Sequence, residues 1–168
     1  IVIEAWNYGV IATKAIQADT AANVGSPAIQ YQDSSRSARI TLTGQPTGNV
    51  RTTKMVIEDI SPSFWNAFNF ASFGPSDPGP ASPAEQVRVD ALVGVTYTVA
   101  VDNSISVECG GSADLSACWV NGTPAATLTL PNLGATPVGS IRGLRFTYTK
   151  VDQSNWERPS NPIQAVVF

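Results

Sequence analysis

Alternation of apolar and polar residues is the feature that most constrains the fold of this chain. Within residues 37–70, Ile40 and Leu42 alternate with polar neighbours, and Met55 and Ile57 do the same further along. A repeat of two places successive side chains on opposite faces of a strand, so that one face is dry and the other wet. Glycine, proline and asparagine between the two runs supply turn chemistry. We therefore predict that the two runs pair as an antiparallel hairpin.

A short aromatic segment follows the second run. Ser61 and Pro62 suit the N-cap and the first position of a helix, which predicts one helical turn over residues 63–68. The bulky side chains in and after this turn lie too close together for an ordinary loop, and we expect them to close one end of a sandwich. They are Phe64, Trp65, Phe68 and Phe70.

The rest of the chain repeats the strand pattern between turn signals. Residues 87–107 contain three alternating runs, which predict a three-stranded meander. Asn121 and Gly122 give the strongest hairpin-turn signal, which predicts a strand pair ending at Pro131. Further runs lie at residues 144–148 and 163–168. About ten or eleven short strands with at most one helical turn predict an all-β fold, a two-sheet antiparallel sandwich of immunoglobulin-like or jelly-roll type.

We expect residues 1–168 to form a single β-sandwich module, because the proline-rich segment 73–83 precedes strands that cannot stand alone. The opening run, residues 1–6, resembles the closing run in length and apolar character. It is either the last strand of a preceding module or an ordinary edge strand. Because the chain begins inside a strand-like run, we expect it to be a piece of a longer protein.

The composition of the chain limits which partners it can bind and indicates the compartment in which it is found. Charged residues make up 14% of the chain, and the net charge of −3 comes from residues that are scattered singly. A basic surface that neutralises phosphates is therefore missing, and we expect no nucleic-acid partner. The apolar runs fall far short of the roughly 20 residues that span a bilayer, so we expect no membrane insertion. Abundant hydroxyl residues are typical of secreted β proteins.

Cys109 and Cys118 flank a small, flexible loop. Such a loop can bring the two Cα atoms within bridging distance, which predicts a disulfide and an oxidising compartment. Two reduced thiols at strand ends are the alternative. The chain contains no histidine, and two thiolates leave half of a tetrahedral shell empty, so we expect no metal and no other cofactor.

Residues needed for most enzyme chemistry are missing from the sequence. Without histidine there is no serine or cysteine triad and no imidazole base. Glu58 and Asp59 do not form a carboxylate pair for glycoside hydrolysis, because neighbours in a strand point to opposite faces. We therefore expect a protein that is not an enzyme.

Lys14 is a candidate for covalent cross-linking. It lies in an early strand among small and apolar residues, where desolvation favours the neutral, nucleophilic amine. Asn161 precedes the last strand, and Glu58 lies in the middle of the sandwich. If the first and last strands are neighbours, Lys14 and Asn161 can condense to an isopeptide bond with loss of ammonia, while Glu58 shuttles the proton. A solvated lysine at a strand edge is the alternative.

Tryptophans raise the question of sugar binding. Trp65, Trp119 and Trp156 are candidates for stacking on sugar rings. Tryptophans in a sandwich of this size are more often core and end-cap residues, which is the competing interpretation.

The order of these motifs resembles a known group of proteins. The resemblance is carried by ATKAI near the start, ARITLTGQPTGN, KMVIEDISPSFWNAFNF, TLTLP, IRGLRFTYT and the terminal NPIQAVVF. They resemble modules repeated along long surface proteins of Gram-positive bacteria, particularly actinobacterial adhesins and stalks. The resemblance implies an immunoglobulin-like sandwich that extends an adhesive tip from the cell wall, and a lysine-to-asparagine cross-link at Lys14 and Asn161.

We therefore expect a non-enzymatic extracellular module, on the cell surface or secreted, with a structural or adhesive role. Its expected partners are neighbouring modules of the same chain and a host or surface glycan or protein. Two alternatives stay open. A carbohydrate-binding module would present two or more tryptophans on one exposed face, and a subunit of an extracellular filament would complete a neighbour's sheet with its first strand.

Overall fold

The computed structural model describes residues 10–18, 38–46, 51–73, 84–155 and 163–167. The strands in these segments are β1 (Val10–Ala18), β2 (Ala38–Pro46), β3 (Lys54–Asp59), β4 (Gln86–Leu92), β5 (Val95–Val99), β6 (Ile105–Cys109), β7 (Trp119–Val120), β8 (Gly143–Thr149) and β9 (Ile163–Val167). One helical turn, α1, spans Pro62–Trp65. Short 3-10 turns lie at Ser116–Cys118, Leu130–Leu133 and Val138–Ser140.

Two sheets enclose the core. One has the strand order β1-β2-β9 and the other β3-β8-β4-β7, while β5 and β6 form a separate hairpin. Strands from both sheets contribute side chains to one buried cluster, which confirms the predicted all-β sandwich with at most one short α-helical turn. The cluster includes Ile40, Leu42, Met55, Ile57, Val87, Val89, Leu144, Phe146 and Tyr148.

The hairpin predicted between the first two runs is wrong. β2 pairs with β1 and β9, whereas β3 pairs with β8, so the two strands belong to different sheets. Their apolar faces meet instead across the core, where a Cβ atom on Gly44 would lie 3.1 Å from Ile57 and 3.2 Å from Met55. Alternation reports which face of a strand is dry. It does not distinguish pairing within one sheet from packing between two.

The hairpin predicted at Asn121 and Gly122 is also wrong. These residues follow the edge of β4 beyond β7, and Ala125 then exchanges two backbone hydrogen bonds of 2.9 Å with Val87. The Gly122 N–H donates to the buried carboxylate of Asp90 at 3.2 Å. Glycine is needed at position 122 because two backbone segments approach each other there, and not because the chain reverses.

A disulfide attaches the β5–β6 hairpin to the larger sheet. Cys109 ends β6 and Cys118 directly precedes β7, and their Cα atoms lie 5.9 Å apart. The predicted disulfide is thus confirmed. The predicted meander is correct for β5 and β6, but β4 pairs with β8 and β7. Residues 1–6 lie outside the described residues, and the single-module boundary of 1–168 stays a prediction.

Replacing Gly122 with alanine is expected to destabilise the protein. The added Cβ would lie 2.0 Å from the Val89 carbonyl oxygen and 2.6 Å from that of Asn132, and backbone atoms cannot rotate away. We expect the free energy of unfolding in urea to fall by about 2–4 kcal/mol.

Gly139→Ala is the matched control, because nothing lies within 4 Å of a Cβ at that position. It should change the free energy of unfolding by less than about 1 kcal/mol. Equal stabilities of the two variants would contradict the close approach at Gly122.

Candidate functional site

A lysine and an aspartate connect the two sheets of the sandwich. Lys14 lies opposite Leu42 in the β1–β2 ladder, and residues directly opposite each other share one face of a sheet. The lysine is therefore on the inner face, with the buried leucine. Its Nζ lies 2.6 Å from Oδ2 of Asp59, the last residue of β3, and the two side chains are 26% and 7% exposed. We refer to this ion pair as the Lys14–Asp59 clamp.

Residues of and next to α1 complete the surroundings of the clamp. The Lys14 ammonium lies 3.7 Å from the centroid of the Phe64 ring, a cation–π contact. The Ser61 N–H donates to Asp59 Oδ1 at 3.2 Å, and Trp65 Nε1 donates to the Asp59 backbone oxygen at 3.0 Å. Both carboxylate oxygens therefore have a protein partner.

Local sequence explains why α1 forms beside the clamp. Pro62 occupies the start of the helix, and the Ser61 side chain makes no capping bond. The Asp59 carboxylate satisfies the Ser61 N–H instead. The helix is shorter than the turn predicted over residues 63–68, but its aromatic side chains pack as expected. Phe64 stacks on Phe68 at 4.7 Å between ring centroids and meets Trp65 edge-on at 5.3 Å.

Tyr97 of β5 brings the separate hairpin close to the clamp. Its hydroxyl donates to the Arg142 carbonyl oxygen at 3.2 Å. Burial raises the pKa of Tyr97, Arg142 opposes that shift, and the negative charge of Asp59 adds to it. The phenol therefore keeps its proton at neutral pH and remains a donor.

Glu58 is not the acid beside Lys14, and this part of the sequence prediction is wrong. It lies on the outer face of β3, where its carboxylate accepts a hydrogen bond from Arg145 Nε at 2.6 Å. Asp59 takes the inner position. The alternation that buries Met55 and Ile57 also turns residue 59 inward, so the signal was present in the sequence and was missed.

Asn161, the predicted partner of Lys14, lies outside the described residues. The first and last described strands are not direct neighbours, because β2 lies between β1 and β9. The residue of β9 in line with Lys14 across Leu42 is Ala165. Adjacency of the first and last strands, the condition set for the cross-link, is therefore not met by β1 and β9.

Two of the three predicted stacking tryptophans are described. Trp65 is 3% exposed and belongs to the core, so it offers no free ring face to a sugar. Trp119 is half-buried, and the guanidinium carbon of Arg145 lies 3.9 Å from its ring centroid. Trp156 lies outside the described residues. Within the described part, a row of exposed tryptophans is not formed.

A metal site and a membrane-spanning helix are both absent from the same described segments. Among the described residues, no group of three or more histidine, cysteine, aspartate or glutamate residues is placed to hold a metal ion. No helix in those segments is both long and apolar enough to cross a membrane. An apolar depression of about 310 Å³ beside Val93, Val120 and Pro137 includes neither residue of the clamp.

Comparison of the chain with protein-family models, with curated proteins and with solved structures finds no match. The resemblance to adhesin and stalk modules stays a prediction from sequence motifs. The Lys14–Asp59 clamp is the described feature from which a function can best be argued.

Asp59→Asn is expected to destabilise the protein more than Glu58→Gln. The first substitution leaves Lys14 without its anion on the inner face, at a cost of about 1–3 kcal/mol. The second substitution removes the ion pair between Glu58 and Arg145, whose side chains are 33% and 31% exposed respectively. Its loss should cost no more than about 1 kcal/mol.

Urea denaturation of both variants at neutral pH measures the difference. Equal losses, or a larger loss for Glu58→Gln, would show that Asp59 does not hold the two sheets together.

Proposed function

We propose that this chain is a non-enzymatic structural or adhesive module of an extracellular surface protein. The observation that carries the proposal is the Lys14–Asp59 clamp, which joins β1 of one sheet to β3 of the other. A contact between sheets resists their separation, which is what a module that spaces or supports its neighbours requires. The proposed partners are neighbouring modules and a surface glycan or protein.

The disulfide supports the extracellular assignment. The Cys109–Cys118 bridge closes a loop between β6 and β7. Such bonds persist in oxidising compartments and are rare where thiols are kept reduced. A bridge over so short a loop contributes about 2–3 kcal/mol by the chain-entropy argument, which is a substantial part of a typical domain's stability.

The state of the polar groups in the clamp supports a structural role over a catalytic one. The Asp59 carboxylate accepts from Lys14 and from the Ser61 N–H, and the lysine also contacts the Phe64 ring. A general base or nucleophile must be free to reach a substrate. Groups that satisfy one another in this way hold two parts of the chain together.

The intact mass of the reduced protein distinguishes the ion pair from the cross-link first predicted between Lys14 and Asn161. That amide would remove about 17 Da from the sequence mass, and a direct Lys14–Asp59 amide would remove about 18 Da by loss of water. Because the Lys14 ammonium is paired with Asp59, we expect the unmodified sequence mass. A loss of either size would show that Lys14 is bonded covalently and would overturn the ion pair as the contact between the sheets.

Labelling of intact cells tests the extracellular assignment separately. An antibody against this chain is expected to bind producing cells without permeabilisation, or to detect the protein in their medium. Detection only after the cells are opened would overturn the proposed location.

A further inference from the structure

β1 forms an open edge of its sheet in the described part of the chain. β2 occupies one side of the strand, and none of the described strands pairs with the other. The backbone N–H and C=O groups on that side are a template for another strand, and natural proteins usually keep such edges short. This edge is nine residues long.

The usual guards against edge pairing are missing from β1. The strand contains no proline, and its ladder with β2 continues without a bulge from Val10 to Ala18. Its single charged residue, Lys14, is held toward the body of the protein by Asp59 at 2.6 Å. Ile11 and Ile16, on opposite faces, are 56% and 42% exposed. The edge is therefore long, regular, apolar and free of unpaired charge.

We infer that β1 pairs in antiparallel fashion with β1 of a second copy, across a two-fold axis at Thr13. A two-fold axis perpendicular to the sheet leaves every side chain on its original face. Only residues on the same face can then lie opposite each other, so the axis must pass beside a residue and not between two. Centring on Lys14 would set two lysines opposite each other, which is unfavourable. Centring on Thr13 sets the two threonines opposite each other, with Ile11 against Ala15 and Ala12 against Lys14. Threonine pairs are favourable at such positions.

A second copy of β1 fits this edge better than β9 of a neighbouring molecule does. The Thr13 register aligns residues 10–16 of both strands and joins two three-stranded sheets into one. Pairing with β9 of a neighbour, as in a head-to-tail filament, would use a strand of five residues. Because a two-fold interface closes on itself, the product is a dimer and not a fibre. This inference is independent of the proposed function.

Light scattering coupled to size exclusion, over a dilution series of the full chain, tests the dimer. We expect a reversible monomer–dimer equilibrium, because strand pairing alone is weak. Ile11→Lys should weaken dimerisation by about tenfold or more, since edge lysines oppose strand pairing. Val101→Lys is the matched control: Val101 is 104% exposed, outside β1, and the substitution should leave the equilibrium unchanged.

Cysteine cross-linking tests the register. Thr13→Cys, oxidised at a concentration where dimers form, should give a covalent dimer, because the two Cα atoms then lie within the roughly 7 Å that a disulfide can span. Ala15→Cys places its two thiols too far apart and should cross-link much less.

Four outcomes would overturn the inference. They are a wild-type monomer at every concentration, a dimer insensitive to Ile11→Lys, open-ended polymers, and equal cross-linking at positions 13 and 15. Circular dichroism of each variant confirms that it is folded before its equilibrium is compared.

Discussion

Burial of the inner strand faces is the constraint on which the rest of this structure depends. Phe146 and Tyr148 of β8 are fully buried, and Ile57 and Met55 lie beside them on the neighbouring strand β3 of the same sheet. Once these residues point inward, alternation forces Asp59 inward too. A carboxylate with little access to water is costly unless it is paired and hydrogen-bonded. The clamp is therefore a consequence of core packing, and its cation, Lys14, comes from the facing sheet.

Two buried aspartates hold segments outside the strands in position by accepting hydrogen bonds from their backbone. Asp59 is 7% exposed and accepts from the Ser61 N–H, which sets the start of α1. Asp90 is fully buried, accepts from Arg88 at 2.9 Å, and takes the Gly122 N–H as a second donor. Each carboxylate thus binds one cation and one backbone amide. Carboxylates bound in this way favour a single arrangement of the segments that they hold.

The sequence predicted local properties well and long-range ones poorly. The strands, the short helix and the disulfide follow from alternation, from Pro62 and from the spacing of two cysteines, all of which act over a few residues. Strand pairing depends on contacts far apart in the chain, so local alternation predicts that β3 pairs with β2, whereas it pairs with β8. The alternation of β3 distinguishes the outward-facing Glu58 from the inward-facing Asp59, so the identity of the acid is a local property that the sequence does contain. The close approach at Gly122 has no local signature, because its cause lies in Val89 and Asn132.

The order β1-β2-β9 determines how this sheet transmits tension. β1 and β9 run in the same direction on either side of β2, with Val10 level with Pro46 and Val167 level with Ile40. Pulling the chain outward at Val10 and at Val167 therefore drags the two outer strands along β2 in opposite senses. Such sliding strains all the backbone hydrogen bonds between β2 and its two neighbours at the same time. Peeling one strand away from its end would break these hydrogen bonds one after another. A sheet with this strand order is therefore stiff along the line that joins Val10 and Val167.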